Sequence, residues 1–328
     1  MRSARELVEL VIPTYGRPGV IVKAVESALA ETPFRVTVLD DQSPEPVDDL
    51  LAVLGQQRAR DDRLRIIRNS SNLGASLNIL RSLEVSRAPY TWAFTDDHVV
   101  RPGAAKDVVS AISERPDAVV LFWHRALPQG ERRDLADIAP FVELIERDRA
   151  SFGFSDLHFN RIVRTDVGRR YLKLDARYSH AQPMLGIQIA ALVDGLPLHI
   201  RGGELSSAQS NAASGWSSSY LQRYKFEPAL LIPDPNLRGR YRAAAARDFP
   251  WREALIDLRE GQRGSIDAGF AVDAAIIAAH SPFIPARLRI EARIALFLHG
   301  SRLRGLFAPF IPKKRPGGDD AQIKDMTW

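Results

Sequence analysis

The sequence predicts an α/β fold in which a mostly parallel sheet is flanked by helices. Over about the first 120 residues, short apolar runs typical of buried strands alternate with segments whose apolar residues recur at helical spacing. In addition, polar or acidic residues follow each of the first four predicted strands. Crossover helices return the chain to the same edge of a sheet, so this alternation favours parallel strands.

The predicted elements follow one another in order. The strands are expected at residues 6–12, 34–39, 64–67, 90–95 and 118–122, and Pro13 is expected to end the first of them. Helices are expected at residues 20–29, 50–54, 75–85 and 104–113. Later elements are a helix at 142–149, a return to the sheet at 154–163, a helix at 182–192 and a strand at 197–200.

The remaining segments set the predicted domain boundaries. Residues 202–219 are rich in Ser, Gly, Asn and Ala, a composition that fits an active-site lid and a surface loop equally well. We expect a first domain over residues 1–232, with halves at 1–125 and 126–232. A helical C-terminal region over 233–315 and a disordered tail over 316–328 follow.

Composition excludes several classes of protein. The chain has no cysteine, so disulfides and thiolate metal sites are impossible. It has neither a signal-peptide pattern nor an apolar run long enough to span a bilayer, so we expect it in the cytoplasm. Although the net charge is +5, residues 1–284 are close to neutral, and nucleic-acid binding by this part is not expected.

Polar side chains follow four successive predicted strands. They are Pro13, Thr14, Tyr15 and Arg17 after the first strand, Asp40 and Asp41 after the second, Asn69 to Gly74 after the third, and Asp96, Asp97 and His98 after the fourth. Ligands of open parallel sheets bind outside the carboxyl ends of the strands. The sequence therefore predicts one ligand site that all four strand ends share.

Asp96, Asp97 and His98 form the candidate metal site. Adjacent carboxylates repel each other unless a cation lies between them, and a hard divalent ion suits such a pair. His98 as a further ligand would favour Mn²⁺ over Mg²⁺. The alternative is that these acids cap the turn after the strand.

Asp40, Asp41 and Gly74 are candidates for nucleotide contacts. An acid beyond a second strand accepts hydrogen bonds from ribose in dinucleotide-binding folds, although one of the two acids would also fit an Asx turn. Gly74 precedes a predicted helix, where backbone N–H groups can bind phosphate.

Four segments together resemble glycosyltransferase family 2, whose fold is of the GT-A type. They are VIPTYGRP at 11–18, VLDDQSPE at 38–45, NLGASLN at 72–78 and AFTDDHVVRPGA at 93–104. The resemblance covers roughly residues 7–125. The spacing from Asn72 through Gly74 to Asn78 is similar to the branch that transfers sugars in bacterial O-antigen or capsule assembly.

The resemblance implies a nucleotide-sugar-dependent transferase and a role for each matching residue. Residues 1–125 would be the nucleotide-sugar half and 126–232 the acceptor half of a catalytic domain. Donor contacts would come from Pro13, Thr14, Tyr15, Arg17, Asp40, Asp41, Gly74, Asn78 and Asp96. Asp97 and His98 would hold a divalent cation, Mn²⁺ or Mg²⁺, with His98 in place of the last acid of the family's D-x-D signature.

The family's usual reaction is inverting displacement, with a carboxylate as the general base for an acceptor hydroxyl. The acid expected after the sheet is not evident near residues 172–185, where Asp175 and His180 are the candidates. A non-catalytic nucleotide-sugar-binding or scaffold protein of the same fold is the rival hypothesis. Such a protein would bind a nucleotide without turnover.

The C-terminal segment 283–315 interleaves large apolar residues with arginines and ends in Lys313, Lys314 and Arg315. This pattern suits a helix in an anionic membrane interface, and a lipid-linked acceptor would account for it. The acceptor itself is expected to be a glycan or a lipid-linked molecule. The segment would then contact the inner face of the plasma membrane. Packing on the catalytic domain or on a second subunit is the equal alternative.

Overall fold

The described part of the chain is organised around an eight-stranded sheet. The computed structural model describes residues 3–44, 61–124, 127–147, 160–178, 183–209, 227–247, 276, 278–282 and 284–300. In chain order the strands are β1 (Val8–Thr14), β2 (Arg35–Asp40), β3 (Leu64–Arg68), β4 (Tyr90–Ala93), β5 (His98–Val100), β6 (Val120–His124), β7 (Arg132–Leu135), β8 (Arg161–Arg164), β9 (Leu198–Gly202) and β10 (Ser206–Ala208).

Helices lie between and after these strands. They are α1 (Ala4–Leu7), α2 (Pro18–Glu31), α3 (Ala75–Val85), α4 (Ala104–Glu114), α5 (Ile138–Arg147), α6 (Thr165–Tyr178), α7 (Pro183–Val193), α8 (Pro235–Arg247) and α9 (Ala286–Gly300), with a 3₁₀ turn at Glu227–Leu231. Pro18 begins α2, a position where its missing N–H has no helical partner to lose.

The strand order is β3-β2-β1-β4-β8-β6-β9-β7. Strands β1 to β4 are parallel to one another, while β8 is antiparallel to both of its neighbours, β4 and β6. Strand β9 is parallel to β6, and β7 closes the edge antiparallel to β9. This mostly parallel sheet confirms the predicted fold class, and it brings the carboxyl ends of β1 to β4 to one edge.

The apolar runs of the sequence form the centre of this sheet. Leu10, Val11 and Ile12 of β1 are all fully buried, as expected of a parallel strand covered on both faces. Trp92 and Phe94 pack edge to face with ring centroids 5.4 Å apart. Burial of these runs holds the strand ends, and hence the polar residues that follow them, in a fixed arrangement.

The prediction that Pro13 ends the first strand is wrong, because β1 continues to Thr14. Pro13 lies opposite Leu39 in the β1–β2 register. Alternate residues of a parallel strand bond to opposite neighbours, and Val11 bonds towards β4 through Phe94. The backbone nitrogen of Pro13 therefore faces β4. The pairing with β4 has already ended at Val11, so the N–H that proline lacks is not needed for a hydrogen bond between the strands.

Several described elements were not predicted from the sequence. They are α1, β5, β7, β10, α6 and the 3₁₀ turn at Glu227–Leu231, and α1 includes Glu6 and Leu7, which were expected in the first strand. Arg132 and Arg133 of β7 are exposed because this strand lies at the edge of the sheet. The strand therefore lacks the alternation of apolar and polar residues by which it could have been predicted. The helix predicted at 50–54 lies outside the described residues.

The chain divides into two compact units. The first comprises Met1–Phe141 with Phe154–Ser214 and contains both sheets, and the second comprises Val142–Gly153 with Gly215–Trp328. Within the second unit, Arg240 and Glu146 form an ion pair. The predicted boundaries at residues 232 and 315 stay predictions, and the tail 316–328 lies outside the described residues. Across the described ranges, no helix combines the length and the apolar character needed to cross a bilayer.

Candidate active site

Thr14, Arg17 and Asp96 meet at the carboxyl edge of the parallel strands. Thr14 ends β1 and Asp96 follows β4, its neighbour in the sheet. The Thr14 hydroxyl donates to Asp96 Oδ2 at 2.7 Å, and Arg17 Nη1 donates to Asp96 Oδ1 at 3.2 Å. The same Nη1 lies 3.4 Å from Asp97 Oδ2, so one guanidinium connects two adjacent carboxylates.

Burial dominates the acid–base behaviour of Asp96. The residue is only 6% exposed, and burial raises the pKa of its carboxyl to about 6, against the lowering effect of Arg17. The charge of Asp97 acts in the same direction as burial. Asp96 is therefore ionised at neutral pH at a cost that Thr14 and Arg17 only partly offset.

Asp97 and His98 lie in different surroundings. The Thr95 hydroxyl donates to Asp97 Oδ1 at 2.6 Å, and the Asp97 side chain remains 22% exposed. His98 begins β5, and its Nδ1 is 3.1 Å from the Ser206 hydroxyl. Burial lowers the pKa of the His98 imidazole to about 4, so the ring is neutral at neutral pH.

Gln209 fastens the turn that carries Asp96 and Asp97. Its backbone N–H donates to the Asp97 carbonyl at 2.9 Å, and its Nε2 donates to the Asp96 carbonyl at 3.0 Å and the Val20 carbonyl at 3.1 Å. Sequence reasoning missed this residue. It lies 113 positions after Asp96, inside the segment interpreted as a lid or surface loop, and no local pattern distinguishes it.

Asp40 is buried at the end of β2, and both of its carboxylate oxygens accept hydrogen bonds. Oδ1 accepts from the Ser43 N–H at 3.1 Å, and Oδ2 accepts from Arg68 Nη1 at 2.9 Å. The Ser43 hydroxyl in turn accepts from the Gly16 N–H at 2.8 Å. Asp40 therefore ties together the loops that follow β1 and β2, and its predicted contact with base or ribose stays a prediction.

Asp41 holds the loop that follows β3. One oxygen accepts from Asn69 Nδ2 and the Leu73 N–H, both at 2.8 Å, and the other accepts from the Gly74 N–H at 2.9 Å. Asn78 accepts a hydrogen bond from Asn69 Nδ2 at 2.9 Å within the same network. These residues shape the loop, whereas the donor contacts predicted for Asp41, Gly74 and Asn78 stay predictions.

Gly74 has a positive φ of 78° at the start of α3. Glycine adopts this conformation without the strain that a Cβ would add. Its N–H is shared between Asp41 and the Asn72 side chain, which lies 2.8 Å away. The geometry of Gly74 thus follows from the loop that Asp41 organises.

The remaining predicted residues are placed as follows. Pro13 lies within β1, and Tyr15 beyond it is 49% exposed, so its ring is available to a ligand. Asp175 lies in α6, where its side chain is outside the described atoms. His180 lies outside the described residues. The structure therefore leaves the identity of the general base as a prediction.

The carboxylates fit a metal ion that a ligand helps to hold. Among the described residues, no group of three or more His, Cys, Asp or Glu side chains could hold an ion by itself. Mg²⁺-type sites commonly use one or two carboxylates together with substrate phosphates. Partly exposed Asp97, beside Asp96, fits that type of site, whereas the Nδ1 of His98 is directed at Ser206.

The mostly parallel sheet flanked by helices has the architecture of a GT-A glycosyltransferase. The family model described as glycosyl transferase family 2 matches residues 9–172, which is half of the chain. The chain therefore belongs to glycosyltransferase family 2 and is a nucleotide-sugar glycosyltransferase, as the sequence predicted. No curated protein matches the chain in sequence.

Solved structures share this fold at low sequence identity. The fragment 1–349 of S. aureus TarS is 14% identical with a TM-score of 0.60, and the match covers 89% of this chain and 88% of that one. The same fragment with UDP-GlcNAc has a TM-score of 0.57 at 14% identity, covering 89% of each chain. The mannosyltransferase PcManGT from Pyrobaculum calidifontis, in complex with GDP-Man and Mn²⁺, is 11% identical with a TM-score of 0.50, covering 90% of this chain and 88% of that one.

Proposed function

We propose that this protein transfers a sugar from a nucleoside-diphosphate donor to an acceptor hydroxyl with inversion, assisted by a divalent cation, Mn²⁺ or Mg²⁺. The observation that carries the proposal is the cluster of Thr14, Arg17, Asp96 and Asp97 at the carboxyl edge of the parallel strands. A ligand bound there would meet both a cationic and an anionic group. A nucleoside diphosphate with its cation needs that combination.

The residues at the carboxyl ends of the parallel strands would have different roles in donor binding. Asp97 would hold the cation, which neutralises charge on the diphosphate leaving group. Arg17 would bind the diphosphate, and exposed Tyr15 would stack on the base. Asp40 and Asp41 would act by fixing the loops that surround the donor.

The acceptor hydroxyl needs a general base, and Asp175 and His180 remain our candidates for it. Direct displacement forms the bond from the acceptor oxygen to the anomeric carbon as the bond to the diphosphate breaks. The base takes the hydroxyl proton, and the diphosphate leaves as an anion whose charge Arg17 and a bound cation would stabilise.

The acceptor we propose is lipid-linked or a polysaccharide at the cytoplasmic face of the membrane, and the exposed surface of α9 supports this proposal. Ile290, Ile294 and Phe297 are spaced for one helix face and are 57%, 53% and 60% exposed. Arg287 and Arg293 lie on the same helix and are also exposed. Apolar residues among arginines suit an anionic lipid surface.

Calorimetric titration of the protein with UDP, GDP, dTDP and CDP, each with and without Mn²⁺, tests the donor site. UDP and GDP come first because the ligands of the similar structures carry these nucleotides. One nucleotide should bind tightly and only with Mn²⁺. The Asp97→Ala variant should lose this dependence because it lacks the exposed carboxylate.

Asp166→Ala is the matched control, because this exposed carboxylate pairs with Arg164. Arg164 lies opposite Tyr90 at the amino end of β4, whereas the site lies at the carboxyl end. It should bind as the wild type does. Unchanged Mn²⁺-dependent binding by Asp97→Ala would remove the metal site from the proposal. Binding without any donor hydrolysis would favour the non-catalytic rival.

A further inference from the structure

We propose that Arg17 is an exchangeable counter-ion. Its guanidinium occupies the position beside Asp96 and Asp97 where the proposed metal ion would bind, until a cation and a diphosphate bind together. In the resting protein its guanidinium contacts both carboxylates and offsets part of their negative charge. On binding, the cation takes over Asp97, and Arg17 turns to the diphosphate. This inference rests on the proposed function, and it assigns Arg17 a second role besides donor contact.

The position of the Arg17 guanidinium is the first support. Its Nη1 is 3.2 Å from Asp96 Oδ1 and 3.4 Å from Asp97 Oδ2, so one positively charged group serves two adjacent carboxylates. A cation shared by these carboxylates would occupy the same region. A guanidinium and a divalent ion repel each other, and both cannot neutralise the pair at once.

The weakness of these contacts is the second support. Charge-assisted N–H···O bonds are typically about 2.7–2.9 Å long. The Arg68–Asp40 pair at the same edge reaches 2.9 Å, whereas Arg17 stays beyond 3 Å from both of its partners. Arg17 therefore holds Asp97 loosely enough for a ligand to replace it.

Exposure separates the two carboxylates that Arg17 contacts. The side chains of Arg17 and Asp97 are 25% and 22% exposed, whereas that of Asp96 is 9% exposed. Asp96 also keeps the Thr14 hydroxyl as a donor when Arg17 moves. Exchange can therefore take place at Asp97 without leaving Asp96 unpartnered.

The backbone around Arg17 is held in place, so the exchange needs only the side chain to move. The Arg17 carbonyl accepts from the N–H groups of Val20 and Ile21, both at 3.1 Å, at the start of α2. The preceding Gly16 N–H is bonded to Ser43. A long side chain on a fixed backbone can move between two anionic partners.

Competition of this kind predicts coupled binding. Without a nucleotide, the cation must displace Arg17 from Asp97 while no diphosphate is present to accept the guanidinium, so Mn²⁺ binding should be weak. A diphosphate supplies that partner, so nucleotide and Mn²⁺ should each strengthen the binding of the other by the same factor. Removing the guanidinium should raise the affinity for Mn²⁺ alone and weaken this coupling.

Electron paramagnetic resonance of free Mn²⁺ tests the inference, with UDP and GDP added in separate titrations. Arg17→Leu should bind Mn²⁺ without nucleotide about tenfold more tightly than the wild type, a factor within the usual range of coupling between ligands. Arg17→Lys keeps a positive charge and should remain close to the wild type. Arg17→Gln is the substitute if Arg17→Leu does not fold, as judged by circular dichroism.

Arg68→Leu is the matched control, because it removes an arginine from a carboxylate of the same edge without touching Asp96 or Asp97. It should not raise Mn²⁺ affinity. The inference is overturned if Arg17→Leu binds Mn²⁺ no more tightly than the wild type, or if Arg68→Leu gains as much. A wild type that binds no Mn²⁺ even with either nucleotide would instead overturn the proposed metal function, and the inference with it.

Discussion

Asp96 and His98 are two buried ionisable residues whose effects on stability have opposite signs. Burial raises the pKa of Asp96 from 3.8 to about 6, so the folded protein retains a proton that the unfolded chain has lost. The free energy of unfolding therefore falls as the pH rises through that window. At neutral pH the ionised carboxylate costs about 3 kcal/mol, at about 1.4 kcal/mol for each pKa unit.

The contribution of His98 runs the other way. Burial lowers its pKa from 6.5 to about 4, so the unfolded chain binds a proton that the folded protein does not. Stability is lost as the pH falls from 6.5 towards 4. The pH dependences of stability that Asp96 and His98 cause overlap and partly cancel in the wild type, so a substitution is needed to separate them.

We expect Asp96→Asn to change the pH dependence of stability. Asparagine cannot ionise, so the variant should gain about 1–3 kcal/mol relative to the wild type between about pH 4.5 and pH 7.5. Urea unfolding of both proteins at the two pH values measures this difference, and His98 contributes equally to both. Parallel stability profiles would show that Asp96 keeps an ordinary pKa.

At the scale of elements, the short β5–β10 sheet supports the candidate active site. Ser206, Ser207 and Ala208 pair with the three residues of β5 that directly follow Asp97. Gln209 ends this pairing and bonds to the carbonyls of Asp96 and Val20. The turn that carries the acids is therefore held between α2 and β10.

We expect Gln209→Ala to lower the kcat/KM of donor hydrolysis by about tenfold. It removes hydrogen bonds worth about 0.5–1.5 kcal/mol each, and about 1.4 kcal/mol corresponds to a factor of ten in rate. Gln209→Glu should behave similarly, because a carboxylate keeps the shape but cannot donate to the carbonyls. Steady-state kinetics and thermal melting of both variants measure the effect.

Ser207→Ala is the control for this prediction, since Ser207 is an exposed residue of the same strand. It should leave kcat/KM and the melting temperature nearly unchanged. Equal losses in Ser207→Ala and Gln209→Ala would assign the effect to β10 as a whole, and no loss in either Gln209 variant would contradict the role given to this side chain.

At the scale of the whole molecule, the two compact units carry different surfaces. The first holds the site residues at the edge of the parallel strands. The second includes α9, with Ile290, Ile294 and Phe297 exposed among its arginines. In the proposed function, the first surface would bind the donor and the second would contact a lipid surface.

We expect Phe297→Glu to weaken binding to anionic vesicles. A phenylalanine side chain that inserts into the membrane contributes about 2 kcal/mol of apolar transfer energy, so its replacement should lower the partition coefficient at least about tenfold. Co-sedimentation with vesicles containing about 30% anionic lipid, and with neutral vesicles, measures the change.

Ile276→Glu is the matched control, because Ile276 is an apolar residue outside α9 that is 46% exposed. It should partition as the wild type does. If the wild type does not bind anionic vesicles, or if both variants lose vesicle binding equally, the result would favour packing against protein as the role of α9.

Sequence patterns were sufficient for the fold class, the family and the order of the first strands and helices. The reason is that a buried parallel strand must be apolar along its length, and a helix on the sheet must repeat its apolar residues. The predicted helix at 75–85 coincides with α3, and the residues that follow the strands could be located before any contact was known. Edge strand β7 escaped prediction because its exposed arginines carry no such pattern.

The partners of the site residues were decided only by the tertiary structure. Thr14 meets Asp96 82 positions away, Arg17 meets Asp97 80 positions away, and Gln209 meets Asp96 113 positions away. The sequence alone determined which chemical groups lie near the end of each strand, because apolar runs locate the buried strands even where, as at Pro13, the last residue differs. Which of those groups neutralise one another depends on strand order and register, which arise when distant segments pack into one sheet.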